Sequence, residues 1–221
     1  MNESTHPVLD IGPDETRVSG FTTSTHEARA RIFLPVLGPR DRPLTWSHLA
    51  ELAGARLDAG LRWSTLTAQL EPELVAELEP AYGRPQPEVT AAITELLTTA
   101  TTSPDDANVA LWEGHQDDIA GLKLDDFPPE VKAPSKPHGG HLLHRASLSW
   151  LADYTRGEPL GRRLPVFVWP VDAAFRLACP IYHDSAYISG SRRLLHQLAG
   201  AGLEVFEIDR DTALPSDSRC R

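Results

Sequence analysis

The chain has 221 residues, enough for one large domain or two small ones and for a sizeable core without disulfide or metal staples. It carries 31 acidic against 21 basic residues, a formal net charge of −10, which argues against nucleic-acid binding and favours a basic partner. Cys179 and Cys220 are its two cysteines and neither stands in a Cys-x-x-Cys pair, so a disulfide scaffold and thioredoxin-like or zinc chemistry find no support. No apolar run approaches the ~20 residues of a membrane span. Met1 to Gly20 lacks the basic-then-apolar pattern of a signal peptide, so the expected location is the cytoplasm.

Residues 1–24 mix Gly, Pro, Ser, Thr and charge without a period and are predicted to form a poorly ordered arm. A single domain is expected over 25–215, with a subdivision near 80–105 left open. Glu27 to Leu37 reads as a strand that Pro35 places at an edge or ends. Thr45 is a candidate N-cap for a helix over Trp46–Ala53 that Gly54 stops. Trp63 to Leu66 reads as a short extended piece. Glu71-Pro72 starts a helix whose face is Leu74, Val75 and Leu78, ended by Pro80. The clearest helix runs from Pro87 to Ala100, with Val89, Ala92, Ile93, Leu96, Leu97 and Ala100 on one face.

Asn108 to Glu113 reads as a strand. Residues 114–137, with Asp117, Asp118, Asp125, Asp126 and four prolines, read as a long surface loop. A strand over Leu142–Leu148 and a short helical turn through Trp150, Leu151 and Tyr154 follow. The closing unit is a strand over 166–169, a second over 174–179, a polar loop over 182–191, an amphipathic helix through Leu194, Leu195 and Leu198, and a last strand from Leu203 to Ile208. Strands and helices mix without a strict β-α-β alternation. The expected class is therefore α+β, with a mixed, largely antiparallel sheet flanked by helices. No Gly-x-Gly-x-x-Gly, Walker A or Gly-x-Ser-x-Gly pattern stands at a strand–helix junction.

Three motifs stand together: Leu111-Trp112-Glu113-Gly114, Trp169-Pro170-Val171-Asp172, and Asp184-Ser185-Ala186-Tyr187-Ile188-Ser189-Gly190-Ser191. In this they resemble an uncharacterised family of actinobacterial-type sequences. Its members carry an apolar strand ending in Trp-Glu-Gly, then Trp-Pro-x-Asp, then an Asp-Ser/Thr-x-x-x-Gly-Gly-like loop before a helix. Ser189 stands here where that pattern has its first glycine. The resemblance spans roughly residues 85–210 and implies a fold, with no activity attached.

Four groups of residues are candidates for function. Asp172, Asp184, Tyr187, Ser189, Gly190, Ser191 and Arg192 are candidate ligand-binding residues, because Ser189-Gly190-Ser191 at a helix N-terminus offers backbone N–H groups to an anion and Arg192 adds charge. Asp172 and Asp184 flank one strand and are expected at opposite sheet ends, which argues against an acid/base dyad. His138, His141 and His144 have ligand chemistry for zinc. On a strand, however, 141 and 144 face opposite ways, so no metal is assigned. His115 with Asp117 and Asp118 is a second such cluster and reads as solvated loop charge. Asp117, Asp118, Asp125 and Asp126 are candidate partner-binding residues. Cys179, mid-strand with no cation or helix N-terminus beside it, reads as packing rather than a nucleophile.

These readings converge on a non-catalytic protein-binding module with no cofactor, metal, membrane or nucleic acid. The expected form is an acidic inhibitor or immunity-like protein docking a basic partner. The competing expectation is a small-ligand binder or enzyme built on loop 182–193 and the following helix N-terminus.

Overall fold

The computed structural model describes residues 16–123, 140–156 and 162–214. Among the described residues there are nine strands, β1 (Ala28–Phe33), β2 (Val36–Leu37), β3 (Pro43–Leu44), β4 (Ala107–Trp112), β5 (His141–Ala146), β6 (Phe167–Pro170), β7 (Arg176–Ala178), β8 (Ser185–Gly190) and β9 (Val205–Glu207). Seven of them make one sheet in the order β5-β4-β6-β7-β8-β1-β9, and every ladder in it is antiparallel. β2 and β3 form a separate two-stranded ladder. The fold is α+β. Because β1 sits between β8 and β9, the early and late parts of the chain share one sheet.

Period-2 alternation sorts the side chains to two faces. Ala28, Ala30 and Ile32 of β1, Val109 and Leu111 of β4, Val168, Leu177, Ala186 and Ile188 face a layer of helices. That layer holds α4 (Pro87–Thr99), α6 (Ser149–Thr155) and α7 (Arg192–Gly200). They present Ile93 and Leu97, Leu151 and Tyr154, and Leu194, Leu195 and Leu198 to the sheet. Fully buried residues such as Ile93 and Leu198 each contribute roughly 1.5–3 kcal/mol of burial free energy. The opposite face carries Ala110, Phe167, Trp169, Ala178 and Tyr187.

That second face is covered by part of the segment expected to be a loose arm. Val18–Gly20 forms a buried 3-10 turn. Its backbone is tied to the chain's last described residues by Val18 N–H to Thr212 O (3.0 Å) and Ser19 N–H to Arg210 O (2.9 Å). Arg17 bridges Ala213, and Leu214 N–H donates to Thr16 O at 2.7 Å. Phe21 stacks on Phe167 with centroids 5.9 Å apart. For residues 16–24 the expectation of disorder is thus corrected. Two apolar residues three apart, Val18 and Phe21, are too few to show a period, yet they close a sheet face.

A third cluster forms around α1 (Trp46–Leu52), α2 (Trp63–Thr67) and α3 (Pro72–Val75). Thr45 caps α1 as its sequence indicates, accepting from His48 N–H at 3.2 Å. A second, long-range cap is added by Glu204, whose carboxylate accepts from Trp46 N–H at 2.8 Å and Ser47 N–H at 2.7 Å. The Trp46 indole N–H donates to Leu34 O at 2.9 Å. Trp63–Thr67 is helical rather than extended, held by Leu66 N–H to Arg62 O at 3.0 Å. The helix after Pro72 is a single turn.

The main correction concerns residues 185–190. They form β8, buried throughout between β7 and β1, and not a polar loop. No helix among the described residues is long and apolar enough to cross a membrane.

Candidate functional site

The residues nominated around 172–192 do not converge. The Asp172 carboxylate closes the β6–β7 turn. It accepts from Thr101 Oγ1 at 2.7 Å, from Thr102 N–H and Oγ1, each at 2.7 Å, and from Ala174 N–H at 3.0 Å. Burial pushes its pKa up, but these hydrogen bonds outweigh that and leave it below the ordinary carboxylate value. Asp184 lies at the other end of the sheet, as the strand between them requires. There it makes a buried ion pair with Arg31 at 3.0 Å and accepts from Ser185 Oγ at 2.6 Å. Arg31 is fully buried and spends its remaining donors on Ser185 Oγ (2.8 Å), Ala59 O (3.0 Å) and Leu61 O (2.7 Å). Its guanidinium also lies 3.9 Å from the Phe33 ring centroid. This network fastens the 59–61 loop to the sheet.

The rest of the nominated group is structural as well. Tyr187 is buried on the second sheet face. Ser189 donates to His26 Nδ1 at 2.9 Å while the His26 Nε2–H donates to Ala173 O at 2.8 Å. Desolvation keeps His26 below its ordinary pKa, helped by Arg176 and Arg29 and opposed by these hydrogen bonds. Gly190 stands where a Cβ would press to 3.3 Å against Ala174 O, Leu194 and Phe175. Ser191 N-caps α7, accepting from Leu194 N–H at 3.2 Å. Arg192, at the start of α7, is held by acidic partners. Arg192 Nη1 binds Glu207 at 2.9 and 3.0 Å, and Arg192 N–H donates to Glu27 at 3.1 Å.

Of the acidic candidates, Asp117 is exposed and Asp118 is buried, so Asp118 cannot meet a partner's surface. Asp125, Asp126 and His138 lie outside the described residues. His144 Nδ1–H donates to Lys123 O at 2.8 Å and its ring packs 4.8 Å from Trp150. His141 pairs with Trp112 across the ladder. Among the described residues no group of three or more His, Cys, Asp or Glu could hold a metal.

Asp118 instead belongs to a constellation that the sequence pattern did not assemble. β4 ends in a tight turn whose Gly114 packs so closely on the Trp112 indole that a Cβ would collide with it. Glu113 fixes this turn by accepting from Gly140 N–H at 2.6 Å. Next comes the single turn α5 (Gln116–Ile119). It brings Asp118 Oδ2 to 3.6 Å from His115 Nδ1, and Arg163 Nη1 reaches the same oxygen at 3.1 Å. The His115 ring packs edge-on against Trp112 at 4.5 Å and Tyr182 at 5.8 Å. Burial, then Arg163 and Arg84, push its pKa down to about 4 against the opposing pull of Asp118. His115 is neutral at physiological pH.

Two small cavities, each of about 10 Å³, lie beside this pair. One is lined by Asp118, Tyr154 and Leu164, the other by Tyr82, Gly83, Cys179 and Tyr182, and His115 and Arg163 line both. Desolvation raises the Tyr154 hydroxyl above its ordinary value and pushes the Cys179 thiol up to about 12. Cys179 is therefore a protonated packing residue at neutral pH, as its sequence context predicts. His115 and Asp118, expected as solvated loop charge, form a largely enclosed i,i+3 pair because the loop makes a helical turn there. Arg163, 45 residues from Asp118, was not legible in the sequence.

No family model, curated protein or solved structure matches this chain.

Proposed function

We propose that the protein is an acidic, non-catalytic binding module, of inhibitor or immunity-like type, that docks a basic protein partner. The observation carrying this reading is the strip around α3. From Trp63 to Gly83 the sequence contains no Lys, Arg or His. Within it Glu71, Glu73, Glu77 and Glu79 are all exposed, and none makes an ion pair among the described residues. Leu74, Val75 and Leu78 pack under them against the third cluster, so the carboxylates are held on an anchored surface.

A rigid strip of uncompensated charge accelerates encounter with a basic surface and makes the complex salt-sensitive. Asp117 remains a further exposed acid for such a face, whereas Asp118 does not. The competing reading, a ligand site on 182–193, has lost its loop. Residues 185–190 of it are a buried strand and Ser191 a helix cap, and Asp184, Ser185, Ser189 and Arg192 are already engaged by Arg31, His26 and Glu207.

The test is capture from the protein's own cells at low and at high salt, with wild type and with Glu71→Gln/Glu73→Gln/Glu77→Gln/Glu79→Gln. The expected result is one stoichiometric basic protein that is lost both at high salt and in the variant. Capture that survives both changes overturns the proposal, as does the lack of any stoichiometric partner.

A further inference from the structure

We propose that the outer edge of β9 takes up an extended, basic segment of the partner as an eighth strand of the seven-stranded sheet. This deepens the reading above and rests on it for the charge of the partner.

The first observation is unused backbone. β9 closes one end of the sheet and pairs with β1 alone. Glu204 O accepts from Phe33 N–H at 3.0 Å, and Ile208 N–H donates to Arg29 O at 3.1 Å. Glu204, Phe206 and Ile208 therefore turn their backbone groups towards β1. By the alternation of an antiparallel ladder, Val205 and Glu207 turn theirs away from it. These outward N–H and C=O groups make no hydrogen bond among the described residues. Such a row is a template for a further strand. It is also accessible, since no residue from Leu203 to Asp209 is buried.

Charge selects the guest. Between Leu203 and Asp211 the sequence holds Glu204, Glu207, Asp209 and Asp211 against Arg210 alone. A second copy of this chain, paired edge to edge, would bring these carboxylates against their own images, which is unfavourable. A basic strand meets them with the opposite sign. At the end of β9 lies an open groove of about 230 Å³, with Glu27, Glu207 and Asp209 set against Arg29 and Arg192. Arg29 is already engaged by the carbonyls of Thr23, Ser24 and His26, and Arg192 by Glu207 and Glu27. Asp209 makes no ion pair among the described residues. A guest residue opposite Glu207 points its side chain to the same face as Glu207. A lysine or arginine there enters the groove beside Asp209.

The edge also shares its footing with the acidic strip. Phe206 of β9 packs in the same cluster as Leu74, Val75 and Leu78, the residues beneath that strip. One partner can meet the strip with its basic surface and the edge with a strand.

The test records amide NMR spectra of the isotopically labelled full chain with a short capped peptide that alternates lysine and valine. The control peptide is N-methylated at every residue, so it keeps the charge and cannot extend a ladder. The parent peptide is expected to shift the Val205 and Glu207 amides saturably and to slow their exchange with solvent, and the methylated one to do neither. Val205→Pro removes an outward N–H and no ladder bond, as edge strands tolerate, and should weaken peptide binding about tenfold. Glu207→Gln/Asp209→Asn leaves the backbone intact and should weaken binding and flatten its salt dependence. Equal binding of the methylated peptide, or shifts that spare β9, overturn the proposal and leave capture of a basic protein by the strip standing. Shifts at β9 on raising the concentration of the chain alone overturn it in favour of a second copy. Peptide pairing at β9 in a chain that captures no basic protein supports the edge and overturns only the earlier reading.

Discussion

Arg31 and Asp184 meet at 3.0 Å with side chains 0% and 10% exposed, joining two neighbouring strands from opposite ends of the chain. An ion pair this enclosed is costly to half-remove, because the surviving charge has no solvent to turn to. Arg31→Met and Asp184→Leu are each expected to destabilise by about 3–5 kcal/mol, and the double variant by less than their sum. Denaturant midpoints of the two singles and the double check this. Strict additivity would show that the pair is not coupled.

Glu204 places one carboxylate on two backbone N–H groups at the start of α1, 2.7 and 2.8 Å away. Glu204→Gln keeps an acceptor and loses the charge, while Glu204→Ala loses both. Losses of about 0.5 and about 1–2 kcal/mol respectively are expected in chemical denaturation. Amide exchange at Trp46 and Ser47 should rise first.

Asp172 has a lowered pKa in the folded protein, because its hydrogen bonds from Thr101, Thr102 and Ala174 outweigh burial. A depressed carboxyl stabilises the fold above its unfolded value, about 3.9, and that contribution is lost as pH falls through the folded value. Thermal melts from pH 6 to pH 2 should therefore fall more steeply for wild type than for Asp172→Asn below about pH 4. Parallel curves would assign the turn's stability elsewhere.

His115 works in the opposite sense to a paired histidine. Its folded pKa of about 4 lies below the unfolded value of about 6.5. The unfolded chain therefore takes up the proton first, and stability declines as pH drops from about 6.5 towards 4. Replacing the ring by Phe, which keeps an aromatic against Trp112 and Tyr182, should flatten the melting temperature across that window. An unchanged slope would place the responsible group elsewhere.

Much of the fold was legible where a period or a cap speaks locally. The Val89–Ala100 stripe gave α4, Thr45 and Gly54 bracketed α1, and β4 and β5 followed their apolar runs. β8 was not legible, because Ser185 and Ser189 look like loop residues until their distant partners are known. Ser185 is held by Arg31, 154 residues away, and Ser189 by His26, 163 residues away. A polar strand satisfied through the sheet carries no local sign of being buried. The same holds for the site. Asp172 and Ser191, nominated for a ligand, stand in the structure as a turn residue and a helix cap, both local roles. The His115 cluster takes Arg84, Tyr154, Arg163 and Tyr182 from four separate stretches, and no spacing rule relates them.

Thr16 and Leu214 are hydrogen-bonded neighbours on the covered face of the sheet. The fold's connectivity is thus close to a ring, and the position of its opening is a matter of covalent order rather than of packing. A chain permuted so that a short linker joins 214 to 16, with new ends at the exposed Gly54 turn, should assemble the same seven strands. The acidic strip and the His115 cluster would then keep their places while the sequence separations between them changed.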